Sequence, residues 1–135
     1  MKTLPTTAFG LLLPGLLVLA GCRQDSGGNK VPTEGGNITS LGSIRSALSV
    51  YYGDHEGKYP AELSELTAGG RYLSALPELR GTPHAPTDET AYYSDVRSSD
   101  TGRWGYVNEP ASKDFGTVWV DCTHTDMKER NWTQF

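Results

Sequence analysis

Six apolar side chains recur at intervals of three and four residues, and this pattern constrains the fold more than any other segment. They are Ile38, Leu41, Ile44, Leu48, Tyr51 and Tyr52. In a helix this spacing places them on one face. We therefore predict an amphipathic helix over 38–52, capped by Asn37 or Thr39 and ended by Gly53. Because the apolar stripe is too narrow for burial on all sides, we expect the helix to lie across a sheet.

The segments that follow predict a small α+β domain. Pro60 suits the first turn of a second, shorter helix, because its missing N–H has no partner there in any case. Residues 78–90 are rich in turn-forming residues and are predicted to be a surface loop. Candidate strands lie at 91–96, 104–107 and 116–123, the last being rich in β-branched and aromatic residues. The predicted fold is an N-terminal amphipathic helix packed on a small antiparallel β-sheet.

The N-terminal residues have the pattern of a secretory signal. Lys2 precedes an apolar run over 8–20 that contains Pro14. That run has about 13 residues, whereas a membrane-spanning helix needs roughly 20. The run closes on small residues and a cysteine, Leu19-Ala20-Gly21-Cys22. This tetrad resembles the bacterial lipobox, which implies that residues 1–21 are removed and that Cys22 is lipidated. The alternative is an ordinary signal peptide whose cleavage site lies beside a cysteine.

A lipid anchor divides the rest of the chain into two parts. Residues 22–37 are rich in glycine and polar residues and are predicted to form a flexible tether. Residues 38–135 are enough for one small globular domain. Lipidation would leave Cys122 as the only thiol, so no disulfide could form within the chain. The domain must then be held by packing alone, or by packing and a metal.

The lipobox resemblance also implies a location. The chain is expected to be a bacterial membrane-anchored lipoprotein. Arg23 follows the cysteine where an inner-membrane retention signal would typically have Asp, which favours the outer membrane. Whether the body faces the periplasm or the outside is left open.

The charge distribution argues against a nucleic-acid partner. The chain has 12 basic and 16 acidic side chains, a formal net charge of −4. Charges of both signs are interspersed, and no basic patch or stripe is present. The acidity mainly favours solubility.

Three short motifs occur in an order that resembles a known family. They are Lys58-Tyr59-Pro60, Tyr72-Leu73 through Leu76-Pro77, and Trp104-Gly105-Tyr106. Together with the amphipathic helix and the closing strand, they resemble the globular half of type IV pilin-like proteins. Within that family they are most similar to the major pseudopilins of type II secretion. The resemblance implies a non-enzymatic building block whose partners are secretion or pilus components.

The N-terminus departs from that family. Its members have a basic leader, a cleavage site of Gly followed by Phe or Met, an acidic residue soon after, and a long apolar helix. Here Phe9-Gly10 has the reverse order, and no acidic residue precedes Asp25. We therefore expect a pilin-type head on a lipid anchor, which does not form the usual fibre. The alternative is a lipoprotein binding module that uses the same head to recognise a glycan or a protein.

Cys122 and His124 are candidate site residues because an extended backbone would place both on one face. They could act as a nucleophile with its base, or as half of a metal site. The simpler interpretation is that Cys122 completes the buried row of Val118 and Val120 as a small apolar residue. No cysteine pair or histidine cluster in the sequence supplies the other ligands of a zinc site.

No cofactor is predicted, with calcium as the one candidate. The pseudopilin resemblance implies a calcium ion in the C-terminal loops, where the available oxygen donors are Asp114, Asp121 and Asp126. Calcium needs six or more oxygen ligands, and aspartates are also common in turns. The ligand set therefore stays open.

Four aromatic residues are a candidate recognition surface for a glycan or a peptide: Trp104, Tyr106, Trp119 and Trp132. Alternatively, they fill the space between helix and sheet. Trp119 is expected on the less buried face, where it could be the centre of a partner contact. No catalytic residue is predicted, because no Gly-x-Ser-x-Gly elbow occurs and the three histidines lie in different loops.

Overall fold

A computed structural model describes residues 34–135, and its longest element is the helix that the apolar stripe predicts. Helix α1 is followed by a short 3₁₀ helix, three strands and a second 3₁₀ helix. Their bounds are α1 Glu34–Asp54, Leu63–Gly70, β1 Thr90–Tyr93, β2 Arg103–Val107, β3 Val118–Asp121 and Trp132–Gln134. The α+β class is confirmed. Across residues 34–135, no helix combines the length and the apolar character that a membrane crossing requires.

Helix α1 begins four residues earlier than predicted, inside the segment assigned to the tether. Asn37 is completely buried. Its side-chain amide donates to the backbone carbonyl of Arg80 and accepts from the Arg80 N–H at 3.1 Å. These two hydrogen bonds satisfy the buried amide of Asn37 and connect the start of α1 to the loop that contains Arg80. Cys22 and the residues up to position 33 lie outside the described part of the chain.

The three strands form one mixed sheet in the order β1-β2-β3. Strands β2 and β3 are antiparallel, with Trp104 opposite Val120. Strands β1 and β2 are parallel, with Thr90 opposite Trp104, so the predicted antiparallel sheet is wrong for this pair. The reason is the connection: residues 94–102, here called the crossover segment, return the chain to the end of the sheet where β1 began. A parallel pair requires such a return.

The core contains residues from α1, the first 3₁₀ helix, the loop at Leu79, strands β2 and β3, and the C-terminal region. One buried apolar cluster includes Leu41, Ile44, Leu48, Leu63, Leu66, Leu79, Trp104, Tyr106, Val118, Val120, Cys122 and Trp132. The prediction that Val118, Val120 and Cys122 share the core side of β3 is confirmed, since each is 1% exposed.

The second face of the sheet is also covered, which contradicts the expectation for Trp119. This side chain is only 3% exposed, and the Tyr93 ring lies 5.5 Å from it between centroids. Trp104, Tyr106 and Trp132 are at most 1% exposed. All four aromatics therefore fill the interior, and Trp119 cannot be the centre of an exposed contact.

The first 3₁₀ helix is joined to α1 by a charged hydrogen bond. The Tyr51 hydroxyl donates to Glu65 Oε2 at 2.6 Å, and Glu65 Oε1 accepts from the backbone N–H groups of Ala61 and Glu62. Burial opposes ionisation of Glu65, but these donors outweigh it and lower its pKa. The same hydrogen bond, together with burial, raises the pKa of Tyr51 to about 12.

Replacing Tyr51 with phenylalanine is expected to lower the free energy of unfolding at pH 7 by about 1 kcal/mol. The folded-state pKa of Glu65 lies below its ordinary value of 4.5. The stabilisation from the charged carboxylate is therefore complete above pH 4.5 and is lost as the pH falls through the folded-state pKa. Urea unfolding at pH 7 and pH 3 should show the Tyr51→Phe loss shrinking at the lower pH.

The matched control is Tyr52→Phe on the same helix, because Tyr52 is 42% exposed. It should change stability by less than about 0.5 kcal/mol at either pH. Equal losses for Tyr51→Phe at pH 7 and pH 3 would show that packing, not the bond to a carboxylate, gives Tyr51 its effect.

Candidate functional site

The crossover segment is hydrogen-bonded to the sheet through the carboxylate of Asp121, the last residue of β3. Asp121 is completely buried and accepts five hydrogen bonds. The donors are the Tyr93 hydroxyl, the Thr101 hydroxyl and the backbone N–H groups of Ser99, Asp100 and Thr101. Burial alone would raise the pKa of Asp121, but these donors outweigh it and lower the pKa. The carboxylate therefore fixes the path of residues 99–101.

That path directs Asp100 toward two histidines and a cysteine. Asp100 Oδ1 lies 3.0 Å from His84 Nε2 and 3.4 Å from His124 Nδ1. His124 Nδ1 in turn lies 3.5 Å from Cys122 Sγ. One potential ligand atom from each of the four residues lies within 4.8 Å of all the others. We call these four residues the His/Asp/Cys cluster.

Local backbone features position each member of the cluster. His84 lies in a loop closed by backbone pairing of Leu79 with Thr87. Its ring lies against Gly102, where a Cβ atom would come within 2.4 Å of the ring. Gly102 has φ +69°, so both its conformation and the close approach require glycine. Cys122 and His124 follow the end of β3 directly.

In this cluster the thiol is buried, whereas the two imidazoles are partly exposed to solvent. Cys122 is 1% exposed, whereas the side chains of His84, Asp100 and His124 are 23%, 36% and 46% exposed. The backbone N–H of Thr123 donates to Asp100 Oδ1 at 2.8 Å. This bond and the contact with His84 lower the pKa of Asp100 to about 2. Burial raises the pKa of the Cys122 thiol.

The geometry does not fit a nucleophile with its base. In such an arrangement one imidazole nitrogen faces the nucleophile and the other faces the orienting carboxylate. Here a single nitrogen, Nδ1 of His124, faces both Cys122 Sγ and Asp100 Oδ1. A buried thiol with a raised pKa is also a weak nucleophile. The arrangement is that of four converging ligand atoms instead.

The sequence indicated half of this cluster. Cys122 and His124 stand two residues apart in an extended segment, and the structure brings them together as expected. His84 and Asp100 come from separate loops and were missed. No spacing in the sequence links them to Cys122, because the loop that carries His84 and the crossover segment are brought to β3 only by tertiary contacts.

The three aspartates considered for calcium are not brought together. Asp121 accepts bonds from the crossover segment, as described above. Asp126 is 5% exposed and is bonded to the Arg130 guanidinium at 2.6 Å. Asp114 lies 2.9 Å from Lys113 Nζ. Within residues 34–135, the group of at least three candidate side chains that could hold an ion is the His/Asp/Cys cluster.

Fold and site together define a class: an α+β domain with a mixed three-stranded sheet and a His/Asp/Cys cluster beside the end of β3. No protein-family model, no curated protein and no solved structure matches this chain.

Proposed function

We propose that this protein is a lipid-anchored, pilin-like structural or interaction protein of the bacterial envelope, without enzymatic activity. The observation that carries the proposal is the lipobox-like sequence ending at Cys22, which precedes a single folded domain. The lipid would hold the domain at the membrane. The arginine at position 23, directly after Cys22, would favour the outer membrane. Its protein partners would be components of a type II secretion or type IV pilus machinery.

Two hydrogen bonds support the pilin-like interpretation of the domain. The Tyr106 hydroxyl donates to the Pro60 carbonyl at 2.7 Å, and Trp104 Nε1 donates to the Pro77 carbonyl at 2.7 Å. These bonds join all three short motifs on which the resemblance rests. The three motifs are therefore hydrogen-bonded to one another in the folded domain, which gives a structural reason for their order in the sequence.

The contacts of α1 support a helix laid over the sheet, as in a pilin-type head. Leu41, Ile44 and Leu48 belong to the same buried cluster as the aromatic residues of β2. The Arg45 guanidinium donates to the backbone carbonyl of Val118 in β3 at 3.1 Å. The shared apolar cluster and this hydrogen bond both support the proposal that α1 lies over the sheet.

The anchor is tested by exchanging each of the two cysteines separately. Mass spectrometry of the protein extracted from membranes should find a diacylated or triacylated Cys22 as the new N-terminus. The Cys22→Ser chain should lack the lipid and leave the membrane fraction. Cys122→Ser is the matched control and should keep both the lipid and the membrane association.

An unmodified Cys22 in membrane extracts, or equal acylation of both cysteine variants, would contradict the anchor. The partner is tested by cross-linking the anchored protein in cells and by glycan arrays with the purified protein. Capture of secretion or pilus components would support the proposal. Binding to glycans alone would favour the alternative, a lipoprotein recognition module.

A further inference from the structure

The potential ligand atoms of the His/Asp/Cys cluster converge on one small region. His124 Nδ1 lies 3.5 Å from Cys122 Sγ and 3.4 Å from Asp100 Oδ1, and His84 Nε2 lies 3.0 Å from the same Asp100 oxygen. All four atoms lie within 4.8 Å of one another. A cation between the four side chains would accept a lone pair from each.

Two of the distances are those of a tetrahedral ion. Zinc bonds of about 2.0–2.1 Å to nitrogen and 2.3 Å to sulfur put neighbouring ligand atoms roughly 3.3–3.7 Å apart. The His124–Asp100 and His124–Cys122 pairs lie at 3.4 and 3.5 Å, whereas the His84–Asp100 pair is shorter at 3.0 Å and would open slightly around an ion. The remaining pairs are within 4.8 Å, so small side-chain movements would bring all four atoms around one ion.

The ligand types indicate which ion it is. Two imidazoles, a thiol and a carboxylate form a set that zinc binds well. Calcium and magnesium prefer sites made entirely of oxygen. The surroundings also hold the ligands in place, since the Asp100 N–H is bonded to the buried Asp121 carboxylate and Gly102 supports the His84 ring. Such supporting contacts are typical of metal sites.

The geometry points to a structural zinc site whose four ligands are His84, Asp100, Cys122 and His124. The ion would connect the loop that carries His84, the crossover segment and the residues after β3. These three segments are far apart in the sequence, and within the described residues Cys122 is a free cysteine with no disulfide. Because the unfolded chain has no preformed site, zinc binding would add to the free energy of folding.

The test uses the full chain carrying Cys22→Ser in detergent, so that Cys122 is the only thiol. After treatment with a chelator, the protein is titrated with zinc chloride in competition with a chromogenic chelator. We expect one zinc ion per chain and a higher melting temperature with zinc. Cobalt in place of zinc should give the intense visible bands of a tetrahedral site and a thiolate-to-cobalt charge-transfer band.

Single substitutions locate the site. His84→Ala and His124→Ala should each weaken zinc binding by at least about 100-fold. Loss of a residue that only supports a ligand costs at most about that much, and loss of a ligand itself should cost more. Cys122→Ser should abolish the charge-transfer band. The matched control is His55→Ala, since His55 is the one histidine of the chain outside the cluster and its ring stacks on Tyr51. Its zinc affinity should equal that of the parent chain.

The site is refuted if the parent chain binds no zinc, if its melting temperature is the same with zinc and with chelator, or if the two histidine variants bind zinc as tightly as His55→Ala. Far-ultraviolet circular dichroism checks that each variant is folded, and the half-exposed His124 is the safest position to change. Because Cys22 is already replaced, these outcomes are independent of whether the native protein carries a lipid.

Discussion

Replacing Asp121 with alanine should lower the free energy of unfolding by about 3–5 kcal/mol, the largest effect expected for a single substitution here. The change removes the acceptor of five hydrogen bonds. It leaves the backbone N–H groups of Ser99, Asp100 and Thr101 without the acceptor that Asp121 supplies. Each hydrogen bond to a charged acceptor contributes about 1.5–3 kcal/mol. Urea unfolding at pH 7 measures the loss.

Two further variants separate charge from shape. Asp121→Asn keeps the size of the side chain but turns an NH₂ group toward donors, so it should recover only part of the loss. Asp95→Ala is the matched control in the same crossover segment, because Asp95 is 65% exposed and its salt bridge is to the exposed Arg97. Its effect should stay below about 0.5 kcal/mol. Similar losses for Asp121→Ala and Asp95→Ala would contradict the role given to the buried carboxylate.

Replacing Gly105 with alanine should cost about 3 kcal/mol, at the upper end of the range for overpacking a core. A Cβ atom at this position would lie 2.3 Å from Trp119 Cε2 and 2.6 Å from Cζ2. Trp119 is 3% exposed and is covered by the Tyr93 ring, so it has little room to move. The centre of β2 therefore accepts only glycine where the two strands meet.

The control for this substitution is Gly42→Ala in the interior of α1, where an added Cβ meets nothing within 4 Å. Alanine there should raise stability by about 0.5–1 kcal/mol, because it has the higher helix propensity. A double-mutant cycle with Trp119→Phe identifies the clash: the combined loss should be smaller than the sum of the two single losses. Strict additivity would show that Trp119 is not the group that excludes the Cβ.

Elements that depend on local periodicity could be predicted from the sequence. The stripe that begins at Ile38 predicts a helix, and a helix is found there. The alternation through Val118 and Val120 likewise predicts the buried side of β3 correctly. The burial of Trp119 could not be predicted in this way, since the ring that covers it, Tyr93, comes from β1. Alternation identifies two faces but does not show how many of them are covered.

The pairing of β1 with β2 illustrates the same limit. The short link between the candidate strands at 91–96 and 104–107 suggested a reversal and hence an antiparallel pair. Instead, the chain returns over 94–102 to the end of the sheet where β1 began, and the Asp121 carboxylate accepts hydrogen bonds from the N–H groups of Ser99, Asp100 and Thr101. A side chain outside the link thus helps to hold the returning chain against the sheet.

The sequence by itself determined the helix, the strand positions and one side of β3, because each depends on neighbours a few residues away. It also supports a lipid anchor at Cys22, since a processing motif is read as a short linear sequence. Only the tertiary structure decided the parallel pair, the burial of Trp119 and the meeting of His84 and Asp100 with Cys122 and His124. Those features arise from contacts between segments far apart in the chain. Such contacts depend on buried hydrogen bonds and on packing, and no local sequence pattern predicts either.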